Sequence, residues 1–306
     1  MSEPPVFRSL DDVPAGPWSL TIGFFDGVHR GHQALVARAA DHGERTLAVT
    51  FDRHPTEIVR PDATPPLLMT TERRVRCLIA AGADAVLVLP FTRELSQLSP
   101  EEFAAQVLAE GVGARWVVVG ENFRFGHRAA GDAERLAELG PTFGFDVDSI
   151  PLLDRDRTTV SSTRIREALA DGDVEWAAWA LGRPHVVDGC VVAGDRRGRR
   201  LGFPTANLDL SAGLQLPAIG VYAGHVETPA GRFPAATSVG IRPTFDGRTV
   251  TVEAYLLDFD GDLYGEEVGV EFRHRLRDEK HFEDVDHLVA AMEEDVRRTR
   301  ALLGGG

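Results

Sequence analysis

The chain has 306 residues, of which 43% are hydrophobic, and a net charge of −14. That length accommodates two domains of ordinary size. The acidic balance argues against a general nucleic-acid binder, which needs a basic face, and no stretch approaches the ~20 apolar residues of a membrane span.

The N-terminal MSEPPVFRSLDDVP has neither the basic nor the apolar region of a signal peptide. The expectation is therefore a cytoplasmic protein with no membrane and no nucleic-acid partner. Cys77 and Cys190 are far apart and form no CxxC, which speaks against structural zinc and a disulfide scaffold. Lys280 is the only lysine, so there is no GxxxxGK[ST] loop, and any ATP must be held by other phosphate grips.

In chain order, Trp18, Leu20 and Ile22 mark a strand, and Gln33–His42 a helix with Leu35, Val36 and Ala39 on one face. Between them lies TIGFFDGVHRGH, a glycine-bearing turn with His29 and His32 three residues apart. Ligands of open α/β sheets bind at strand carboxyl ends, and helix starts attract phosphate, so an imidazole pair there suits a phosphate. On spacing alone, an ordinary turn with incidental histidines explains the motif equally well.

Thr46–Phe51 is a second strand, closed by Asp52-Arg53-His54-Pro55. His54 reads either as a cleft residue or as a surface-loop histidine. Pro61–Met69 is a proline-rich loop, Thr71–Ala81 a helix, and Ala85–Leu89 an apolar run suited to a parallel strand covered on both faces. Ser99-Pro100-Glu101-Glu102 is a capped helix start, with Gly111 as the stop.

Arg115–Val119 leads into the polar loop Gly120–Asp132, where Asn122 could read a base edge and Arg124, His127 or Arg128 could meet phosphate. A short helix, Asp132–Leu139, and a strand, Phe145–Ile150, follow. In VSSTRIREALA, Ser161, Ser162 and Thr163 can cap a helix whose first turn carries Arg164 and Arg166. Cations at that end oppose the helix dipole, as expected where an anion binds. Asp173–Leu181 completes an alternation of strands and helices that predicts a doubly wound parallel sheet over residues 1–182.

After Gly182-Arg183-Pro184 the segments become short and β-branched, with no helix signal until Val285–Leu302. This predicts a small antiparallel barrel or sandwich with one C-terminal helix over residues 183–306. Within it, GDRRGRRLGFPTANL sets Gly194, Gly198, Arg199 and Gly202 before Pro204, Thr205 and Asn207. Glycine-arginine loops suit phosphate. Thr205 and Asn207 are neutral oxygen donors two residues apart, of the kind Mg²⁺ takes alongside substrate phosphate. Glu253 interrupts a strand pattern: facing inward it would be a general base, facing outward a solvated carboxylate.

Taken together, these motifs resemble the bacterial bifunctional riboflavin kinase/FMN adenylyltransferase family over almost the whole chain. TIGFFDGVHRGH, VTFDRHP, VVVGENFRFGHRAAGD and VSSTRIR are similar to its adenylyltransferase motifs. LGRP, GRRLGFPTANL, GVYAG, SVGIRPTF and VEAYLLDFDGDLYG are similar to its kinase motifs, in the same order.

The resemblance implies ATP-dependent phosphorylation of riboflavin to FMN, then adenylylation of FMN to FAD with release of pyrophosphate. It implies Glu253 as the base of the kinase, with Thr205 and Asn207 holding Mg²⁺, and Gly194, Gly198, Arg199, Gly202 and Pro204 around ATP. It implies Gly23, Phe25, Asp26, Gly27, His29, His32, Asn122, Ser161, Ser162, Thr163 and Arg166 around the nucleotide of the adenylyltransferase. Riboflavin, FMN and ATP are the implied partners, and self-association is left open.

Two positions depart from the family pattern, Arg53 in place of a proline and Ile241 in place of a small polar residue. A one-site variant, a flavin-binding regulator without turnover, and a cytidylyltransferase-like enzyme are the competing expectations.

Overall fold

The computed structural model describes residues 3–194, 201–211, 213–244 and 247–304. The chain divides into two compact units, Met1–Pro65 with Thr71–Ser161, and Pro66–Thr70 with Ser162–Gly306. Helices Ser162–Ala170 and Val174–Leu181 thus cluster with the second unit, although the change of sequence pattern comes after them.

In the first unit, six strands are β1 (Val6–Phe7), β2 (Trp18–Ile22), β3 (Arg45–Phe51), β4 (Ala85–Leu89), β5 (Ala114–Gly120) and β6 (Asp146–Ile150). They form one sheet in the order β1-β4-β3-β2-β5-β6, every pair parallel. All residues of β2 and β4 are buried, as required of parallel strands covered on both faces. The order runs outward on both sides of β2, so the sheet's switch point lies beside β2 and β5, where a crevice is expected at the strand carboxyl ends.

Local chemistry explains the helix boundaries. Ser99 and Glu102 close the expected capping box, with Glu102 N donating to Ser99 Oγ at 3.1 Å and Ser99 N to Glu102 Oε2 at 2.8 Å. The helix continues as a π helix over Ala104–Val112 and stops at Gly113, in the left-handed region at φ 73°, two residues later than expected. The helix after β2 begins at Arg30 rather than Gln33, because the His29 side chain caps it. A short helix that periodicity missed, Pro55–Val59, is capped by His54 and Glu57.

The second unit is a closed antiparallel barrel. Its strands are β7 (His185–Val192), β8 (Ala206–Leu210), β9 (Gly220–Thr228), β10 (Gly231–Thr244), β11 (Gly247–Leu256), β12 (Glu267–Phe272) and β13 (His274–Arg277). They pair in the order β10-β11-β8-β7-β12-β9, and β9 pairs back onto β10 to close the ring. Strand β13 pairs on β9 beside β12. At this crossing a Cβ on Gly224 would collide with the Glu271 carbonyl, so only glycine lets the strands approach. The helix Val285–Leu303 follows, as expected.

Glu271 is a buried carboxylate in the barrel, 3% exposed. It accepts from Arg273 Nε at 2.9 Å, lies 3.2 Å from His225 Nδ1, and also pairs with Arg232. Burial alone would push its carboxyl up, but the hydrogen bonds from Arg232, His225 and Arg273 hold it below the ordinary glutamate range. Glu271→Gln should cost about 2 kcal/mol in urea unfolding at pH 7, the worth of charge-assisted hydrogen bonds. Because the folded value is depressed, this stabilisation is present above the unfolded carboxylate pKa and is lost as pH falls through the folded one. The variant should therefore lose stability less steeply than the parent below about pH 5, and parallel pH profiles would contradict this.

Candidate active sites

Strand β2 ends into Gly23–Val28, a turn with three left-handed residues: Phe25 at φ 54°, Gly27 at 83° and Val28 at 39°. A β-branched residue there is strained and has to be held by its surroundings. Val28 N donates to the Phe25 carbonyl at 3.0 Å, and Gln33 Nε2 to the Val28 carbonyl at 2.8 Å. Asp26 and His29 are buried at 3% and 6% exposure.

His29 Nδ1 accepts from His32 N at 3.3 Å, and the two imidazoles stack at 3.5 Å. A Cβ on Gly31 would lie 3.2 Å from the His29 ring, so glycine is what lets that ring rest against its own helix. A neutral His29 whose Nδ1 accepts carries its proton on Nε2, a donor suited to phosphate oxygen.

A cleft of about 870 Å³ opens beside Ile22 and Gly23. Six phenylalanines line it: Phe24, Phe51, Phe91, Phe103, Phe123 and Phe125. Arg60, Arg93, Arg124 and Arg128 line it too, and no Asp or Glu does so among the described residues. Asn122, which the sequence singled out, is exposed and lines this cleft with His127.

His54 is a capping residue: Thr56 N donates to its Nδ1 at 3.2 Å, and its ring meets the edge of Phe24 at 4.7 Å. Arg53, the first departure, pairs with Asp52 at 3.1 Å.

Ser161 closes the first unit, and Ser162 and Thr163 open the helix Ser162–Ala170 of the second. There Arg166 Nε donates to the Pro66 carbonyl at 2.6 Å. Arg164 lies over the Trp176 ring at 4.8 Å and pairs with Glu167 at 3.6 Å.

In the barrel, Glu253 lies half-buried on the face of β11 opposite the core residues Val252 and Ala254, where it lines a cavity. Thr205 Oγ1 donates to Glu253 Oε2 at 3.4 Å. Glu253 sits opposite Asn207 of β8 on one side and opposite Ser238 of β10 on the other. Thr205 lines two cavities. One, of about 290 Å³, also has Glu253, Ser238, Tyr255 and Phe203. The other, of about 330 Å³, has Asn207, Gly194, Pro204, Asp260 and Asp262.

Gly194 is needed here, because a Cβ on it would collide with the Asn207 amide. Gly202 turns the chain at φ 86° before Phe203. Gly198 and Arg199 lie outside the described residues. Ile241, the second departure, is exposed and opposite Val250 in register.

Several lining residues escaped the sequence reading. Leu288, Met292 and Val296 of the C-terminal helix line the Glu253 cavity. So does the ion pair of Arg277 Nη2 with Asp295 at 2.7 Å. The one available signal was Asp295, a carboxylate set in the helix's apolar stripe. Of the cleft's phenylalanines, Phe103 reads as core, and Phe123 and Phe125 as loop residues interleaved with arginines.

A strand-end turn with a histidine-capped helix in one unit, and a threonine that lines two cavities in the other, are the features to set beside known proteins. The family model for FAD synthetase matches residues 14–164, and that for riboflavin kinase matches residues 181–303. The bifunctional riboflavin kinase/FMN adenylyltransferase of Pseudomonas fluorescens is 38% identical, over 92% of each chain. That of Escherichia coli K12 is 35% identical, over 97% of this chain and 96% of its own.

A crystal structure of a macrolide-efflux protein from Streptococcus pneumoniae matches with a TM-score of 0.87 and 32% identity, covering 97% and 99% of the two chains. Among the described residues no helix is long and apolar enough to cross a membrane. The chain belongs to the bifunctional riboflavin kinase/FMN adenylyltransferase family. Its function is flavin cofactor synthesis, phosphorylating riboflavin to FMN and adenylylating FMN to FAD with ATP.

The capping geometry makes one prediction independent of turnover. Nitrogen NMR of the histidine rings at neutral pH should find His29 as the Nε2–H tautomer; an Nδ1–H ring would contradict the cap.

Proposed function

We propose that the kinase reaction takes place across Thr205, with riboflavin in the Glu253 cavity and ATP in the Asn207 cavity. The observation that carries this is the position of one hydroxyl at the boundary of both cavities, 3.4 Å from the only Glu it bonds among the described residues. Glu253 takes the proton of the riboflavin 5′-hydroxyl as its oxygen attacks the γ-phosphorus, and ADP leaves. Thr205 and Asn207 would hold Mg²⁺, which neutralises phosphate charge when bound. Two neutral oxygen donors beside a phosphate-sized space fit that cation's preference.

The adenylyltransferase reaction belongs to the first unit. Its cleft of phenylalanines and arginines, with no carboxylate in its lining among the described residues, suits an aromatic anion such as FMN. A phosphate oxygen of FMN attacks the α-phosphorus of ATP, and pyrophosphate leaves. His29 and His32, with Gly23, Phe25, Asp26 and Gly27 of the turn, steady the triphosphate from the helix start. Asn122 borders the nucleotide, and Ser161, which closes the first unit, keeps the phosphate-gripping role that the family implies. We take residues 1–182 as the adenylyltransferase and 183–306 as the kinase domain, in a cytoplasmic enzyme.

Chromatography of flavins after incubation with riboflavin, ATP and Mg²⁺ tests both halves. Glu253→Gln should lower FMN formation by about 100-fold or more, the worth of a general base. FAD formation from added FMN should persist in that variant, and parental FMN formation would remove Glu253 as the base. Replacing His29 and His32 together by alanine should do the converse, and retained FAD synthesis would sink their assignment.

A further inference from the structure

Helix Thr71–Ala80 carries a guanidinium into the interior of the first unit. Arg74 is 1% exposed, on the helix that the sequence places at Thr71–Ala81. Its Nη1 donates to the Phe24 carbonyl at 3.1 Å, and its Nη2 to the Phe51 carbonyl at 2.7 Å and to Thr71 Oγ1 at 3.0 Å. Phe51 is the last residue of β3, and Phe24 stands two residues past the end of β2. These are strand-end carbonyls, which need partners once they are buried. The Phe24 carbonyl takes a second bond, from Thr50 Oγ1 at 2.9 Å. The guanidinium also lies 4.2 Å over the Phe24 ring, whose edge meets His54 and which lines the cleft.

Core packing alone does not account for an arginine here. Burial lowers its pKa to about 10 against the upward pull of Asp26, Glu72 and Asp52, and its Nε has no partner among the described residues. A leucine or methionine would fill the volume without that desolvation cost. What only a planar fork supplies is simultaneous attachment of two strand ends and one ring face. The segment so attached leads directly into Phe25–Val28, the turn that holds left-handed backbone at two non-glycine residues.

We propose that Arg74 is a positioning residue for adenylyl transfer, clamping the ends of β2 and β3 so that the Gly23–Val28 turn and the Phe24 ring keep their places at the cleft. This deepens the assignment of the cleft to FMN and rests on it. Arg74 touches neither reacting atom; it acts through Phe24 and the turn.

Arg74→Met and Arg74→Lys in the full chain test this, with steady-state FAD synthesis, riboflavin phosphorylation as the control within the same chain, and amide hydrogen exchange over residues 23–28. In Arg74→Met the KM for FMN should rise roughly 10-fold and kcat/KM should fall roughly 100-fold, as misplacement by about an ångström does. Exchange of the turn amides should quicken by about 10-fold, while kinase constants stay at parental values.

Arg74→Lys keeps the charge and donors but not the plane. It should recover kcat and leave the KM for FMN about 3-fold high. If Arg74→Met does not fold, the lysine variant decides alone: parental KM and parental exchange in it would overturn the proposal. So would a loss confined to kcat at unchanged KM in Arg74→Met, the mark of a merely structural role. Should the parent chain make no FAD, the assignment of the cleft falls, and the exchange measurement still decides whether Arg74 holds the turn.

Discussion

A chain with a net charge of −14 has to hold polyphosphate, and that constraint shapes the first unit. A concentration of cationic side chains lies at the carboxyl edge of the sheet. There a helix starts on a histidine cap, and the adjoining cleft is lined by four arginines with no carboxylate among the described residues. Elsewhere arginines sit against acidic neighbours: Arg38 on Asp148, Arg135 on Glu101, Arg300 on Asp258. Exposed pairs of that kind contribute little to stability. They do offset one another's charge, which leaves the cleft arginines to meet an anion at the strand ends.

The second unit meets the same chemistry by register. Glu253 lies between Asn207 and Ser238 because β8, β11 and β10 are paired at one fixed alignment. A slip of one residue would turn Glu253 to the opposite face and take it from the cavity it shares with Thr205. Ring closure prevents such a slip. It depends on Gly224, where a side chain would collide with the Glu271 carbonyl, and on the buried Glu271 carboxylate, which gathers Arg232, His225 and Arg273. Residues remote from the cavities thus hold the alignment that assembles them.

Much of this was legible in the sequence where a local rule governs. Buried parallel strands read as apolar runs, and Ala85–Leu89 is buried throughout. The capping box at Ser99 is local chemistry, and it formed as expected. His29 was legible as a phosphate-facing candidate, but not as a helix cap, because side-chain capping by histidine is unusual and moves the helix start upstream of the apolar periodicity. Glu253 follows the alternation of its strand, opposite the buried Val252 and Ala254, but its neighbours Asn207 and Ser238 lie 46 and 15 residues away and could not be read from it. Arg74 was invisible for a related reason: an arginine on an amphipathic helix reads as solvated, and only the ends of two strands distant in sequence give it partners.

The contrast between the two flavin spaces follows from what each has to accept under the proposed assignment. Riboflavin is neutral, and the cavity assigned to it mixes Glu253 and Glu279 with Lys280 and the Arg277–Asp295 pair. A neutral flavin tolerates those carboxylates, and one of them is needed to take a proton. FMN is an anion, and a carboxylate facing its phosphate in a shielded cleft would cost binding, whereas the arginines of the first unit meet it with opposite charge. The phosphoryl group that the barrel adds is therefore the feature that makes its product a poorer ligand for the barrel and a better one for the α/β unit. The order of the two reactions is set by the bond itself, because the adenylyl group joins the phosphate that the first reaction adds, and charge then favours each flavin at its own site.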